Sequence, residues 1–107
     1  PHMVAYALTA MLSSHPLHPM KHGGGALRDM TRIAGSDPVM WRDIALTNRD
    51  AILSAMDAVS IEHDRLRALI AEGDGPALEA LFSDCRGVRR EHDAILNPIP
   101  KNEEPSA

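Results

Sequence analysis

The sequence has little cysteine, few aromatic residues and no long apolar run. Its one cysteine among 107 residues excludes an internal disulfide and fits a reducing compartment such as the cytoplasm. No apolar run approaches the roughly 20 residues of a membrane-spanning helix, and no signal-peptide pattern is present. Sustained alternation of polar and apolar residues is also missing, so no strand is predicted. These absences predict a cytoplasmic all-α protein with no membrane partner.

The charge balance bears on the kind of partner. A formal net charge of -4 argues against a nucleic-acid partner, because nucleic-acid binders carry a basic surface. One basic cluster has acidic residues close to it in the sequence, as is typical of a solvent-exposed helix face. The basic residues are Arg86, Arg89 and Arg90, and the acidic residues are Asp84, Glu91 and Asp93. The length allows one domain, which should bury roughly 65% of its unfolded surface.

The first half of the chain predicts two helices around a loop. A helix is expected over about Met3–Ser13, with an apolar face at helical spacing formed by Val4, Ala7, Leu8 and Met11. Residues 14–25 contain two prolines and three glycines and predict a loop. A second helix is expected over Ala26–Ala34, ended by Gly35.

Capping signals predict the next boundaries. Asp37 followed by Pro38 predicts a helix that begins at the proline, since the carboxylate caps free amide groups. Asn48 either caps a new helix or marks a kink, and the sequence leaves both open. The longest helix is expected over Arg49–Glu72 and ends at Gly73.

Two apolar seams predict an antiparallel helix pair. After Gly73, Pro76 opens another helix, and both helices carry heptad spacing. The first seam is Ile52, Met56, Val59, His63, Leu66 and Ile70, and the second is Leu78, Leu81, Cys85, Val88, His92 and Ile95. A short turn between matching seams predicts that they pack together, with both histidines and Cys85 buried. The proline-rich residues 97–107 predict a disordered tail.

A glycine run and two arginines form the strongest candidate for a binding site. Gly23, Gly24 and Gly25 lead directly into a helix with Arg28 and Arg32 at i and i+4, so backbone amides and cations converge on a place for a small acid. The alternative is a pair of surface arginines bridged to Asp29 or Asp43. Trp41 is expected to fill the core.

Other motifs give weaker signals. A dinucleotide-binding loop requires a preceding strand, which this glycine run lacks. The histidines at 15, 18 and 22 lack the spacing of a zinc site, so no metal is expected. Cys85 has no neighbouring base that would make it a nucleophile.

The segment from Gly23 to Ile44, GGGALRDMTRIAGSDPVMWRDI, resembles the signature of the helical C-terminal domain of prephenate dehydrogenases, a group that includes arogenate and cyclohexadienyl dehydrogenases. The matching positions are Arg28, Asp29, Thr31, Arg32, Ile33, Ala34, Ser36, Asp37, Pro38, Trp41, Asp43, Ile44 and Asn48. The opening PHMVAYAL is similar to a second stretch of the family, and the later helices are similar to its dimerisation region. The resemblance departs at Ala26 and Leu27, where the family often has glycine and phenylalanine.

The resemblance implies roles for individual residues. Arg32 matches the arginine that binds a carboxylate of the substrate, and His2 matches a histidine of the substrate pocket. Asp29 and Trp41 match residues that position the arginine segment and its helix. Arg28, with a weaker match, and Gly25 complete the implied substrate-binding set, and no catalytic residue is expected in this sequence.

The resemblance also implies an activity, that of an NAD(P)-dependent oxidoreductase of tyrosine biosynthesis. The family converts prephenate to 4-hydroxyphenylpyruvate, or arogenate to tyrosine, by oxidative decarboxylation. The cofactor and a hydroxyl-polarising histidine belong to an N-terminal Rossmann domain, which is not seen here. Residues 1–96 are therefore expected to be the substrate-binding and homodimerisation domain of a larger enzyme, inactive alone. Two alternatives remain open: a free-standing helical adaptor without a ligand, and a small helical enzyme acting on a related shikimate-pathway acid.

Overall fold

The computed structural model describes residues 1–98, in which all regular structure is helical. Six α-helices occur in this range, α1 (His2–Ser14), α2 (Gly25–Arg32), α3 (Pro38–Thr47), α4 (Arg49–Glu72), α5 (Gly75–Glu91) and α6 (Asp93–Leu96). Short 3-10 turns lie at Pro19–Lys21 and Ile33–Gly35. The predicted all-α class is confirmed. Of the predicted tail, residues 99–107 lie outside the described range.

Aspartate caps begin two of the helices. One carboxylate oxygen of Asp37 accepts a hydrogen bond from the Val39 amide at 3.1 Å, and Asp74 accepts one from the Ala77 amide at 3.1 Å. Each cap satisfies an amide that has no partner within the helix. The predicted start at Pro38 is confirmed, and α5 begins one residue before the predicted Pro76.

The turn after α4 depends on glycine. Gly73 has φ 67°, in the left-handed region that glycine adopts without a steric penalty. Its amide donates to the Ile70 carbonyl at 3.1 Å, and the Asp74 amide donates to the Leu69 carbonyl at 3.0 Å. This pair of bonds is a Schellman motif. The predicted end of the long helix at Gly73 is confirmed.

Asn48 separates α3 from α4. Its backbone amide and its side-chain amide both donate to the Ile44 carbonyl, at 3.0 and 2.9 Å, so the residue ends α3. The Asn48 carbonyl then accepts the first backbone bond of α4, from Ile52 at 2.9 Å. The structure therefore has two separate helices and not one kinked helix, but the Asn48 side chain caps the end of α3, whereas the sequence-based interpretation had it capping the start of the new helix.

The chain divides into two compact units, and the first comprises Pro1–Ser60. Within it, α1 packs against α2 and against the 3-10 turn Ile33–Gly35. The buried face of α1 carries Ala5 and Leu12, whereas Val4 and Met11 are 42% and 49% exposed. The predicted face of this helix is therefore wrong by one position, because the mostly apolar α1 offers two overlapping apolar faces.

The second unit begins at Ile61 and contains the end of α4 with α5 and α6. The turn joins α4 to α5 as predicted, but the two helices do not pack along their lengths. His63 is 74% exposed on its side chain, and Cys85 and His92 are exposed as well. The prediction that these three residues are buried is wrong. Heptad spacing identifies an apolar face, and it does not say which element covers that face.

Candidate functional site

An apolar cleft lies in the first unit, where the start of α1 meets α3 and the first half of α4. Its volume is about 350 Å³. Apolar side chains form most of its walls, among them Val4, Ile44, Ile52, Met56 and Val59. Concave apolar sites with a few polar groups at the edge are the usual form of small-molecule sites.

His2 and Trp41 stack on each other at this cleft. Their ring centroids are 3.6 Å apart and the ring planes differ by 15°. Both residues also line the cleft, so two of the predicted site residues come together in the structure. Aromatic pairs of this kind contribute about 0.5–1.5 kcal/mol beyond the area they bury. Sequence reasoning selected both residues, but nothing in the sequence indicated that they touch.

Arg28 lies near Gly25 and Asp29. Its Nε is 4.0 Å from the Asp29 carboxylate, and both side chains are largely exposed, so the ion pair is worth little. One terminal nitrogen of Arg28 lies 3.6 Å from the point that a Cβ at position 25 would occupy. The guanidinium group therefore lies beside the first turn of α2, close to the predicted glycine.

Arg32 is exposed in the last turn of α2. Within residues 1–98 its side chain has no ion pair and no side-chain hydrogen bond. The alternative prediction paired the arginines of this segment with Asp29 or Asp43. In the structure these two acids lie next to arginines other than Arg32, Asp29 beside Arg28 and Asp43 bound to Arg42 at 2.9 Å. Neither Arg28 nor Arg32 lines the apolar cleft.

The first turn of α2 is uncapped by any side chain. Gly24 occupies the cap position and makes no side-chain bond, and the first turn contains no acidic residue. The first backbone bond of the helix runs from the Arg28 amide to the Gly24 carbonyl at 3.1 Å, which leaves the preceding amides without a helical partner. Together with the helix dipole, these amides give the start of α2 a positive potential.

The hydroxyl of Tyr6 is the one buried side-chain polar atom without a hydrogen-bond partner in residues 1–98. Tyr6 lies one helical turn after His2, so both side chains are on the same side of α1. Sequence reasoning missed this residue, and the only signal for it was its helical spacing from His2.

The described residues do not fit a dinucleotide cofactor. A dinucleotide site needs a strand before its glycine-rich turn, and residues 1–98 contain no strand. The glycine run instead follows the 3-10 turn Pro19–Lys21. The same range holds no group of three side chains suited to a metal ion. It also has no helix with the length and apolarity needed to cross a bilayer.

Comparisons with known proteins agree on one family. A family model described as the dimerization domain of prephenate dehydrogenase matches residues 1–84. The chain is 36% identical over 95 residues to the cyclohexadienyl dehydrogenase of Zymomonas mobilis, covering 83% of this chain and 32% of that protein. It is 38% identical over 92 residues to the prephenate dehydrogenase of Bacillus subtilis, covering 83% of this chain and 25% of the relative.

A crystal structure of the Synechocystis arogenate dehydrogenase shares the fold. The TM-score is 0.79 at 24% sequence identity, and the match covers 86% of this chain and 35% of the other. The chain thus spans about a third or less of the length of the two relatives above.

Proposed function

The chain belongs to the prephenate dehydrogenase family, in its dimerization domain, and from that premise we propose that it is the substrate-binding and dimerising part of an NAD(P)-dependent prephenate or arogenate dehydrogenase. The observation that carries the proposal is the family match over residues 1–84. The relatives' names support the reaction class, since they are cyclohexadienyl and prephenate dehydrogenases. A cytoplasmic location remains a prediction.

Substrate binding is assigned to the segment around α2. Arg32 binds a carboxylate of the substrate, and its lack of an ion pair within residues 1–98 supports this role because no internal acid competes for the charge. Arg28 and the uncapped amides at Gly25 add positive potential at the start of the same helix. Asp29, beside Arg28, orients that guanidinium group.

The stacked pair His2 and Trp41 is assigned to the substrate pocket and its support. The stack fixes the first turn of α1 against α3, which keeps His2 in one orientation at the edge of the apolar cleft. A fixed orientation lowers the entropy lost when a substrate binds. Trp41 acts through His2 and is a positioning residue.

The proposed reaction is oxidative decarboxylation of a cyclohexadienol. Loss of carbon dioxide with transfer of hydride from the carbinol carbon makes the ring aromatic, so the protein has chiefly to orient the acid and exclude water. Because the described residues do not fit a dinucleotide, we assign NAD or NADP binding to an N-terminal Rossmann domain of the same polypeptide. The 107-residue chain alone is expected to bind substrate without turning it over.

Dimerisation is assigned to the uncovered helices of the second unit. Their apolar side chains remain exposed in a single copy, including Ile70 at 59% and Val88 at 58%. Exposed apolar patches of this kind mark interaction surfaces. The proposed partner is a second copy of the same chain.

The test compares the 107-residue chain with the full-length polypeptide. Each is mixed with prephenate or arogenate and with NAD+ or NADP+, and reduced cofactor is followed at 340 nm. We expect turnover only from the full-length polypeptide. Calorimetric titration should also show that the full-length polypeptide binds one of the two acids. A full-length polypeptide that neither binds nor oxidises either acid would contradict the proposal. Dimerisation without any binding would favour the adaptor alternative.

A further inference from the structure

The Tyr6 hydroxyl is closed to solvent although the residue as a whole is only half-buried. The hydroxyl oxygen has no hydrogen-bond partner among residues 1–98. Such a group has lost its bonds to water on folding and has gained none in return, which costs free energy. Most buried side-chain polar atoms in folded proteins do have a partner, so this exception needs a physical reason.

The other hydroxyl groups of α1 are all satisfied within the helix. Thr9 donates to the Ala5 carbonyl at 2.8 Å, and Ser13 and Ser14 likewise donate to carbonyls of the same helix. Short side chains reach these carbonyls, whereas the long, rigid phenol of Tyr6 carries its hydroxyl away from its own backbone. A partner for the Tyr6 hydroxyl must therefore come from outside α1.

Tyr6 lies between the two parts of the assigned substrate site. His2 is one helical turn earlier on the same side of α1. The same helix packs against α2 and against the 3-10 turn Ile33–Gly35, which begins directly after Arg32. The helix that carries Tyr6 thus connects the cleft at His2 with the segment that holds Arg32.

The charges in this part of the chain favour an anion as the missing partner. Residues 1–28 contain no aspartate or glutamate, but they include Lys21, Arg28 and four of the six histidines. The first acid, Asp29, lies beside Arg28, and Arg32 has no ion pair within the described part of the chain. Such a region attracts anions, whose oxygens are hydrogen-bond acceptors, so the phenol has to act as the donor.

The other acids of the first unit do not supply this acceptor. Asp37 caps α3, and Asp43 binds Arg42 at 2.9 Å. Asp50 and Asp57 belong to α4, and neither of them lines the apolar cleft. A carboxylate for the Tyr6 hydroxyl has to come from outside residues 1–98.

We propose that Tyr6 is a further substrate-binding residue, whose hydroxyl donates a hydrogen bond to a carboxylate oxygen of the bound acid. The inference rests on the proposed function and adds a contact to it. Because folding has already removed the hydroxyl from water, binding gains this bond without breaking one to solvent. The acid reaches the hydroxyl only after neighbouring side chains move, and the unpaired hydroxyl lowers the cost of leaving the closed arrangement.

The substitution Tyr6→Phe tests this contact in the full-length polypeptide, since it removes the hydroxyl and keeps the ring. Prephenate and arogenate are each titrated by calorimetry, and thermal unfolding is followed without ligand. We expect the dissociation constant of the bound acid to rise about tenfold or more. The melting temperature of the ligand-free variant should equal or exceed that of the wild type, because an unsatisfied polar atom has been deleted. Affinity and stability thus change independently, which a purely structural hydroxyl would not produce.

Thr9→Val is the matched control. It also removes one hydroxyl from α1 and keeps the shape of the side chain, but this hydroxyl has an internal partner, the Ala5 carbonyl. The control should therefore have a lower melting temperature than the wild type. Its affinity for the acid should stay within about twofold of the wild type, because Thr9 is not part of the proposed contact.

The outcomes separate the role of Tyr6 from the proposed function. A wild type that binds neither acid would overturn both. A wild type that binds an acid no more tightly than Tyr6→Phe does would overturn the role of Tyr6 alone. A lower melting temperature for Tyr6→Phe would show that the hydroxyl has a partner within the full-length polypeptide, and this would also overturn it. An equal loss of affinity in Thr9→Val would do the same, since it would point to a general disturbance of α1.

Discussion

The substitution Arg32→Ala tests the proposed substrate contact in the full-length polypeptide. Since Arg32 is exposed and has no ion pair within residues 1–98, its removal breaks no internal salt bridge. The whole effect should therefore fall on ligand binding. A charge-assisted hydrogen bond to a carboxylate is worth about 1.5–3 kcal/mol, which predicts a dissociation constant for the acid raised by about 10- to 150-fold.

Calorimetric titration of the acid measures this loss, and thermal unfolding without ligand provides the stability check. The unfolding temperature should stay within about 2 °C of the wild type, since exposed substitutions rarely change stability by more than about 0.5 kcal/mol. Arg42→Ala is the matched control, because Arg42 is exposed on α3 and binds Asp43 at 2.9 Å. Equal affinity in the Arg32 variant and the wild type would refute the assigned role, as would an equal loss in the Arg42 control.

Three further substitutions test the local structure by urea unfolding. Asp37→Ala removes the amide cap of α3 and should cost about 1 kcal/mol, and an unchanged midpoint would contradict the cap. Gly73→Ala forces a Cβ into the left-handed region at φ 67° and should cost about 1–2 kcal/mol, so a stabilised variant would argue against that turn. Gly23→Ala places a Cβ 2.9 Å from the Cβ of Leu27 and should cost about 1–3 kcal/mol of unfolding free energy. The control Gly35→Ala should be nearly neutral, because no atom lies within 4 Å of a Cβ at that position. Equal unfolding free energies of the two variants would refute the steric conflict at position 23.

Local signals were sufficient for most helix boundaries. A cap such as Asp37 acts within three residues, and a left-handed glycine such as Gly73 ends a helix through its own backbone. Both effects depend only on residues that are close together in the sequence. The helix α4 accordingly has its predicted bounds, Arg49–Glu72. Asn48 was ambiguous because its side chain can bond forward or backward along the chain, and only the structure distinguishes the two.

Contacts between distant segments were not predictable in the same way. His2 and Trp41 lie far apart in the sequence, and their stacking depends on how α1 is set against α3. His63 and Cys85 occupy seam positions whose burial depends on a covering element outside the pattern itself. The role of Arg32 came from the family resemblance, and it stays a prediction.

Little apolar surface is covered within one copy of the described residues, and this bears on how the stability of the protein depends on its concentration. Ala5 and Leu12 are the buried hydrophobic residues of the described range, whereas side chains such as Ile61 and Ile70 stay largely exposed. If a second subunit supplies the missing cover, folding and association become a single bimolecular equilibrium. The melting temperature then rises with protein concentration, and dilution alone favours the unfolded chain.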